Sequence, residues 1–211
     1  MTIQKVMVIG AGQMGSGIAQ VCAQAGFDVK LNDMKQEFFE RGLGVITKNL
    51  SRDVEKGRKT EEEKQAILSR ITMSLKLQDA ADVDIVIEAA VENMEIKQSI
   101  FKQLDEIAPK HAILATNTSS LPITEIGAVT KRPQQVIGMH FMNPVPVMKL
   151  VEIIRGLATS DEVYKAVEEM TRKLDKTPVE VNDFPGFVSN RILLPMINEA
   201  IYTLYEGVAT R

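Results

Sequence analysis

The sequence contains no tryptophan, only three tyrosines and a single cysteine, Cys22. One cysteine cannot form an internal disulfide and has no partners at metal-ligand spacing, so we predict no metal site and interpret Cys22 as a small buried hydrophobic residue. No apolar run reaches the roughly 20 residues that a transmembrane helix needs, and the N-terminal residues lack the order of a signal peptide. We therefore expect no membrane association and a cytoplasmic location.

An excess of positive charge is also missing. The chain has 25 basic and 28 acidic residues, for a formal net charge of −3, and no block of lysine or arginine dominates. Proteins that bind nucleic acid usually carry a basic patch, so no nucleic-acid partner is predicted. At 211 residues the chain can hold one domain with a sizeable core and part of a second.

Short apolar runs alternate with segments of helical spacing along most of the chain. This alternation predicts an α/β fold with a Rossmann-type, doubly wound and mainly parallel sheet. Residues 34–71 read as long, charged and mostly helical, and a further helix is expected at about 160–175. The predicted strands are "KVMVIG" (5–10), "FDVKLND" (27–33), "VDIVIEAA" (83–90), "AILATN" (112–117), "QVIGMH" (135–140), "MKLVEII" (148–154) and "PVEVND" (178–183).

A glycine-rich loop, "GAGQMG" (10–15), directly follows the first predicted strand and opens a helix. In this pattern Gly10 permits a tight turn, Gly12 lets the backbone approach a pyrophosphate, and Gly15 lets helix and strand pack closely. Asp33 ends the next strand, where a carboxylate can accept hydrogen bonds from the adenine ribose and would repel a 2′-phosphate. The pattern predicts NAD rather than NADP. The alternative is a purely structural βαβ unit with a capping aspartate.

One of only two histidines, His140, ends an apolar strand, and Glu152 lies twelve residues later inside a second apolar strand. The two-residue period of a strand puts Glu152 on one face with Leu150 and Ile154, where an unpaired carboxylate is costly. The proline-rich turn between the strands can bring the carboxylate back to the imidazole. Such a pair would let Glu152 fix the tautomer of His140 and let His140 act as a general base. The alternative is a core histidine and an unrelated edge glutamate.

The last segment, 186–208, is apolar on nearly every side, from Ile192 to Tyr205. A single helix of this kind needs a partner. We therefore expect either a truncated chain or a helix that docks on another copy, giving a homo-oligomer.

Five motifs in order, "GAGQMGSGIAQ", "EAAVENMEIK", "TNTSSL", "HFMNPVPVMKLVE" and "DFPGFVSNR", closely resemble the L-3-hydroxyacyl-CoA dehydrogenase family, including its bacterial 3-hydroxybutyryl-CoA dehydrogenases. The resemblance covers essentially the whole chain. It implies an NAD-binding domain over residues 1–183 with a helical CoA-binding arm at about 35–70. Residues 184–211 would then start an all-helical dimerisation domain that is cut short within its first helix.

The resemblance also implies roles for individual residues, each of which has a simpler alternative. Ser119 could be a helix N-cap, Asn190 could make a local hydrogen bond, Asn143 could serve only the turn, and Lys97 could be a solvated charge. The implied catalytic residues are His140, Glu152, Ser119 and Asn190. The implied cofactor-binding residues are Gly10, Gly12, Gln13, Met14, Gly15, Asp33, Glu92, Lys97, Asn117 and Asn143. The implied residues for the CoA substrate are Ser51, Lys56 and Ser119.

The expected function is the NAD-dependent, reversible oxidation of an (S)-3-hydroxyacyl-CoA, with 3-hydroxybutyryl-CoA as the expected substrate, to the 3-ketoacyl-CoA. Two other functions stay open at this point. The chain could be a weakly active or inactive NAD-binding fragment, or a structural protein on the same scaffold. It could also be a dehydrogenase of a free 3-hydroxy acid.

Overall fold

The computed structural model describes residues 2–210, and its centre is one mainly parallel β-sheet. In the described chain eight strands follow the spatial order β3-β2-β1-β4-β5-β6-β7-β8, and only the β6–β7 pair is antiparallel. The expected α/β fold is thereby confirmed. The strands are β1 (Lys5–Ile9), β2 (Asp28–Asn32), β3 (Ile71–Ser74), β4 (Ile85–Glu88), β5 (Ile113–Thr116), β6 (Val136–Phe141), β7 (Leu150–Arg155) and β8 (Thr177–Asn182).

Seven α-helices connect or follow these strands in the described chain. They are α1 (Gln13–Gln24), α2 (Gln36–Glu55), α3 (Glu61–Ser69), α4 (Met94–Ile107), α5 (Ile123–Gly127), α6 (Asp161–Lys173) and α7 (Ser189–Tyr205). Short 3₁₀ turns cover Leu77–Asp82 and Pro133–Gln135. None of the helices within residues 2–210 is both long and apolar enough to cross a lipid bilayer.

The expectation of a mostly helical segment through residue 71 needs correction. Helix α2 ends at Glu55, Gly57 turns the chain with a positive φ of 66°, and Thr60 begins α3 with a capping box shared with Glu63. Residues 71–74 then leave the helix and form β3 at the edge of the sheet, parallel to β2. The sequence gives little warning, because "ITMS" is only four residues long and two of them are exposed.

Two apolar clusters cover the two faces of the sheet, so its inner strands are buried on both sides. This double burial explains why β1, β4, β5 and β6 read as continuous apolar runs rather than as alternating patterns. The strand order reverses between β1 and β4. In open α/β sheets, ligands bind beyond the carboxyl ends of the strands at such a reversal.

Candidate active site

The glycine loop lies at this reversal, between the end of β1 and the start of α1. Gly10 has a φ of +97°, which an L-residue rarely adopts, and a Cβ on Gly15 would lie 1.7 Å from the carbonyl oxygen of Gly10. A Cβ on Gly12, in contrast, would meet no atom within 4 Å. Gly12 begins α1 without a side-chain cap, so the N–H groups of the first turn are not satisfied by a capping side chain. The loop thus combines tight internal packing with an open, electropositive face that suits a pyrophosphate.

Asp33 directly follows β2 and faces the same loop. One carboxylate oxygen accepts the Ala11 N–H at 2.7 Å, and the other accepts the Met34 N–H at 2.7 Å. A carboxylate has about four acceptor positions, so the side chain can still receive ribose hydroxyls while it fixes the loop. The Gln13 side-chain amide donates to Asn143 Oδ1 at 3.2 Å, which joins the glycine loop to the turn after β6. Met14, also implied in cofactor binding, is half-buried and packs against the apolar core.

His140 and Glu152 are directly opposite each other in the antiparallel pairing of β6 and β7. His140 Nδ1 lies 2.8 Å from Glu152 Oε2, and both residues are buried, at 7% and 1% exposure. Burial alone would raise the pKa of the Glu152 carboxyl, but hydrogen bonds from His140, Ser189 and Val188 overcome it, and the net pKa is lowered. Because an ionised carboxylate can only accept, the proton of a neutral imidazole would lie on Nδ1, which leaves the lone pair of Nε2 free.

The other oxygen of Glu152 holds the start of the last helix. Oε1 accepts the N–H groups of Val188 and Ser189 at 3.0 and 2.8 Å. Just before them, Phe187 has a positive φ of 49°, is buried, and places its ring 5.9 Å from the imidazole of His140 at a tilt of 58°. Sequence reasoning missed this phenylalanine, because neither a positive φ nor a ring contact has a signature in "DFPGF".

Ser119 lies in the turn after β5, and Asn190 lies in the first turn of α7. Asn190 Nδ2 donates to the Ser119 carbonyl oxygen at 3.3 Å, so the two implied substrate residues are brought together. The N-cap interpretation of Ser119 is wrong, because α5 begins four residues later with Pro122 as its N-cap. Nearby, Asn117 Oδ1 accepts the Phe141 N–H at 2.9 Å and so ties this turn to the residue after His140.

Lys97 is not the solvated charge that the sequence suggested, and Glu92 makes several hydrogen bonds although its side chain is 40% exposed. Glu92 precedes the N-cap of α4, and its Oε1 accepts the N–H groups of Ser119 and Ser120 at 2.9 and 3.2 Å. Lys97 is 1% exposed and forms an ion pair with Glu88, at 2.7 Å. The interpretation of Lys97 as a solvated charge is therefore wrong. Sequence reasoning also missed Glu88, which ends β4.

Ser51 and Lys56, implied in CoA binding, lie at the carboxyl end of α2, and Lys56 is its exposed C-cap. Within the described chain neither side chain forms a hydrogen bond with the residues around His140. The helix itself does reach the glycine loop, because a Cβ on Gly42 would lie 2.7 Å from the Ala11 carbonyl oxygen. The arm is thus anchored at the loop and extends away from it.

The groups around His140 are those that proton transfer from a hydroxyl requires. A buried imidazole with a fixed tautomer lies at the carboxyl edge of the sheet, with a serine turn and an asparagine on α7 linked to each other nearby. A hydroxyl group held between them could lose its proton to Nε2, and the Glu152 carboxylate would stabilise the resulting imidazolium.

Comparison with known proteins adds a family relationship. The sequence profile described as "3-hydroxyacyl-CoA dehydrogenase, NAD binding domain" matches residues 5–184. A probable 3-hydroxybutyryl-CoA dehydrogenase of Bacillus subtilis is 64% identical over 209 residues, which are 99% of this chain and 73% of that protein.

Solved structures agree with this relationship. The (S)-3-hydroxybutyryl-CoA dehydrogenase of Ralstonia eutropha superposes with a TM-score of 0.96 at 48% identity, over 99% of this chain and 74% of that one. A 3-hydroxybutyryl-CoA dehydrogenase of Escherichia coli K12 gives a TM-score of 0.97 at 43% identity, over 99% of this chain and 44% of that one.

Proposed function

Because the chain belongs to the 3-hydroxyacyl-CoA dehydrogenase family, we propose that it oxidises an (S)-3-hydroxyacyl-CoA reversibly to the 3-ketoacyl-CoA with NAD, and that 3-hydroxybutyryl-CoA is its substrate. The observation that carries this proposal is the buried His140–Glu152 pair, 2.8 Å apart, at the sheet edge that also holds the glycine loop. A purely structural βαβ unit would have no need of a buried imidazole and carboxylate at that edge.

NAD would be held by residues whose local geometry leaves space for it and whose charges or hydrogen-bonding groups complement it. The N–H groups at the start of α1 would bind the pyrophosphate above Gly12, and Asp33 would receive the adenine ribose hydroxyls. The Asp33 carboxylate would repel a 2′-phosphate, which favours NAD over NADP. Asn143, joined to Gln13, lies where the turn after β6 meets the loop and would face the nicotinamide half.

His140 would act as the general base. Its Nε2 would take the proton of the substrate hydroxyl, while Glu152 would hold Nδ1–H and stabilise the imidazolium. Ser119 and Asn190 would orient the reacting oxygen so that the proton faces Nε2. NAD, when bound, supplies the acceptor for the hydride that leaves C3. In the reverse direction the imidazolium would return the proton to the oxygen.

The proposed reaction is tested by the initial rate of NADH oxidation with acetoacetyl-CoA. We expect turnover with NADH that is at least tenfold faster than with NADPH, because of the charge of Asp33. Free acetoacetate serves as the control for a dehydrogenase of free hydroxy acids. Equal rates with acetoacetate and acetoacetyl-CoA would identify the chain as a dehydrogenase of free 3-hydroxy acids. Binding of NADH without any turnover would identify it as a dinucleotide-binding fragment.

We also propose that α7 packs against a second copy of this chain. None of its residues is buried within the chain. A contiguous apolar surface of this size is usually an interaction site. The exposed large apolar side chains of the helix are Ile192, Leu193, Leu194, Met196, Ile197, Ile201, Tyr202, Leu204 and Tyr205.

Self-association should depend on this surface. In sedimentation velocity over a range of concentrations, we expect the unchanged chain to form an oligomer and the variant Ile197→Asp/Ile201→Asp to sediment as a smaller species. Glu199→Gln, on the same helix, is the matched control and should behave like the unchanged chain. A clean monomer of the unchanged chain at high concentration would contradict the proposal.

A further inference from the structure

The turn between β6 and β7, residues 142–149, is closed from the inside by a buried lysine. Lys176 lies directly before β8 and is 8% exposed. Its Nζ donates to the carbonyl oxygens of Val145 and Met148 at 2.5 and 2.7 Å. Among the hydrogen bonds of residues 2–210, neither oxygen has another donor. The lysine is therefore the group that satisfies both carbonyls of the turn.

The charge of Lys176 is compensated by these carbonyls and not by an acid. Within the described residues Lys176 forms no ion pair, and the preceding Asp175 pairs with Lys149 instead. Burial lowers the pKa of the Lys176 ammonium, the Lys149 charge lowers it further, and the Asp175 charge opposes both. A buried ammonium is costly unless hydrogen bonds compensate it. An apolar residue at this position would avoid that cost but would leave two carbonyl oxygens without a donor.

The same turn touches the start of α1 at two points. Val145 is 2% exposed and packs on this helix, because a Cβ on Gly17 would lie 2.8 Å from the Val145 Cβ. Asn143 Oδ1 accepts the side-chain amide of Gln13 at 3.2 Å. Gln13 and Gly17 belong to the first turns of α1, directly after the glycine loop. The turn that Lys176 holds therefore borders the proposed cofactor site.

Removal of the ammonium should open this turn. A buried carbonyl without a partner is costly, so the carbonyls of Val145 and Met148 would have to turn towards water. Val145 would then leave α1, and Asn143 would no longer be fixed beside the glycine loop. Strand β6 would stay in place, because its pairing with β7 does not involve the turn. The change should therefore reach the cofactor side of the site and spare the imidazole of His140.

We propose that Lys176 is a positioning residue for the cofactor, which holds the turn 142–149 closed and thereby fixes Asn143 where the nicotinamide half of NAD would bind. The proposal rests on the proposed function, because Asn143 matters only if a dinucleotide lies on the glycine loop. Lys176 itself does not touch the cofactor, since its ammonium is directed to the two carbonyls. A turn that is ordered in advance improves affinity, because binding no longer has to order it. Loss of Lys176 should weaken the binding of NADH and not the chemical step.

The test compares Lys176→Met with Lys173→Met, a control at an exposed lysine that pairs with Glu169 on the surface of α6. For Lys176→Met we expect the Kd and the KM of NADH to rise about fivefold or more, while kcat with acetoacetyl-CoA at saturating NADH changes less than about threefold. Amide hydrogen exchange at Val147 and Met148, whose N–H groups bond to the Pro144 carbonyl within the turn, should become faster. A lysine that only stabilised the fold would lower the active fraction and leave the Kd of NADH unchanged. That result would overturn the proposal.

The double variant Asn143→Ala/Lys176→Met shows whether the lysine acts through the turn. If it does, Lys176→Met should raise the Kd of NADH by less than about twofold once residue 143 is alanine, because coupled substitutions are not additive. Two factors that simply multiply would overturn the proposal, since the lysine would then act elsewhere.

Lys176→Gln keeps an amide donor at the same position. Its Kd for NADH should lie between those of the unchanged chain and of Lys176→Met, and it decides the question if the methionine variant does not fold. A Kd for Lys176→Gln equal to that of the unchanged chain, with unchanged exchange in the turn, would then contradict the proposal. If the unchanged chain shows no turnover, the proposed reaction fails, and the Kd of NADH together with the exchange rates still decides whether Lys176 positions the turn.

Discussion

Replacement of His140 by glutamine is expected to lower kcat about a thousandfold, with the Kd of NADH changed less than about twofold. A positioned general base typically contributes 10²- to 10⁴-fold to the rate, and glutamine fills much of the same space without a basic nitrogen. His140 is a buried residue of β6 that pairs with Glu152 of β7, and the residues expected to bind the pyrophosphate lie on the separate loop after β1. Stopped-flow NADH oxidation with acetoacetyl-CoA, combined with an NADH fluorescence titration, separates the two quantities.

The variant Glu152→Gln tests whether His140 needs the tautomer that the Glu152 carboxylate fixes. The amide NH₂ of a glutamine would face Nδ1, which would then have to accept a hydrogen bond, so that the imidazole proton would move to Nε2. The histidine would be present but unable to take the hydroxyl proton, and kcat should fall by a factor close to that of His140→Gln. Turnover that survives in both variants would show that another group is the base. Turnover lost only in His140→Gln would show that Glu152 serves the start of α7 rather than the tautomer.

The pairing of His140 with Glu152 could be predicted because it follows from local rules. The two-residue period of a strand placed the glutamate on an apolar face, and a carboxylate there needs a partner. The glycine loop and Asp33 could be read for a similar reason, since strand, tight turn, helix and acid follow each other at short range. The sheet class was predictable as well, because apolar runs alternate with helical segments.

Features that depend on tertiary packing could not be read in this way. Lys97 lies on a helix where the sequence gives no sign that the facing strand ends in Glu88, so a solvated lysine was the natural expectation. Strand β3 forms because an edge position beside β2 is free, not because "ITMS" has a strong preference of its own. The contact between Phe187 and His140 requires a backbone conformation that only the folded chain imposes.

The two carboxylate oxygens of Glu152 explain why the start of α7 matters for the geometry of the site. One oxygen fixes His140 and the other binds the first N–H groups of α7, and Asn190 in that helix reaches the turn of Ser119. The start of α7 therefore bridges two otherwise separate parts of the site. A shift of α7 would change the imidazole and the serine turn together, which connects the proposed association of this helix to the geometry around His140.

Two single-methyl substitutions in the glycine loop should affect different properties, one the stability of the fold and the other the binding of NADH. Gly15→Ala places a Cβ 1.7 Å from the Gly10 carbonyl oxygen, so helix α1 and strand β1 must move apart. We expect the free energy of unfolding to fall by about 3 kcal/mol or more, the upper range of overpacking costs. Chemical denaturation measures this change.

Gly12→Ala should leave the fold nearly intact and weaken the binding of NADH. The φ of Gly12 is −70°, which alanine adopts without strain, and the new methyl would meet no protein atom within 4 Å. Loss of a glycine N-cap to alanine costs less than about 1 kcal/mol. The methyl would, however, occupy the space proposed for the pyrophosphate, so we expect the Kd of NADH to rise at least tenfold, about 1.4 kcal/mol.

Together the two variants decide what the loop is for. If Gly12→Ala folds like the unchanged chain and loses NADH, the open face above Gly12 is the dinucleotide site, because no change in the protein itself would account for the loss. If Gly12→Ala binds NADH as the unchanged chain does, the glycine serves only the turn. The pyrophosphate would then have to lie elsewhere along the edge formed by β1, β4 and β5.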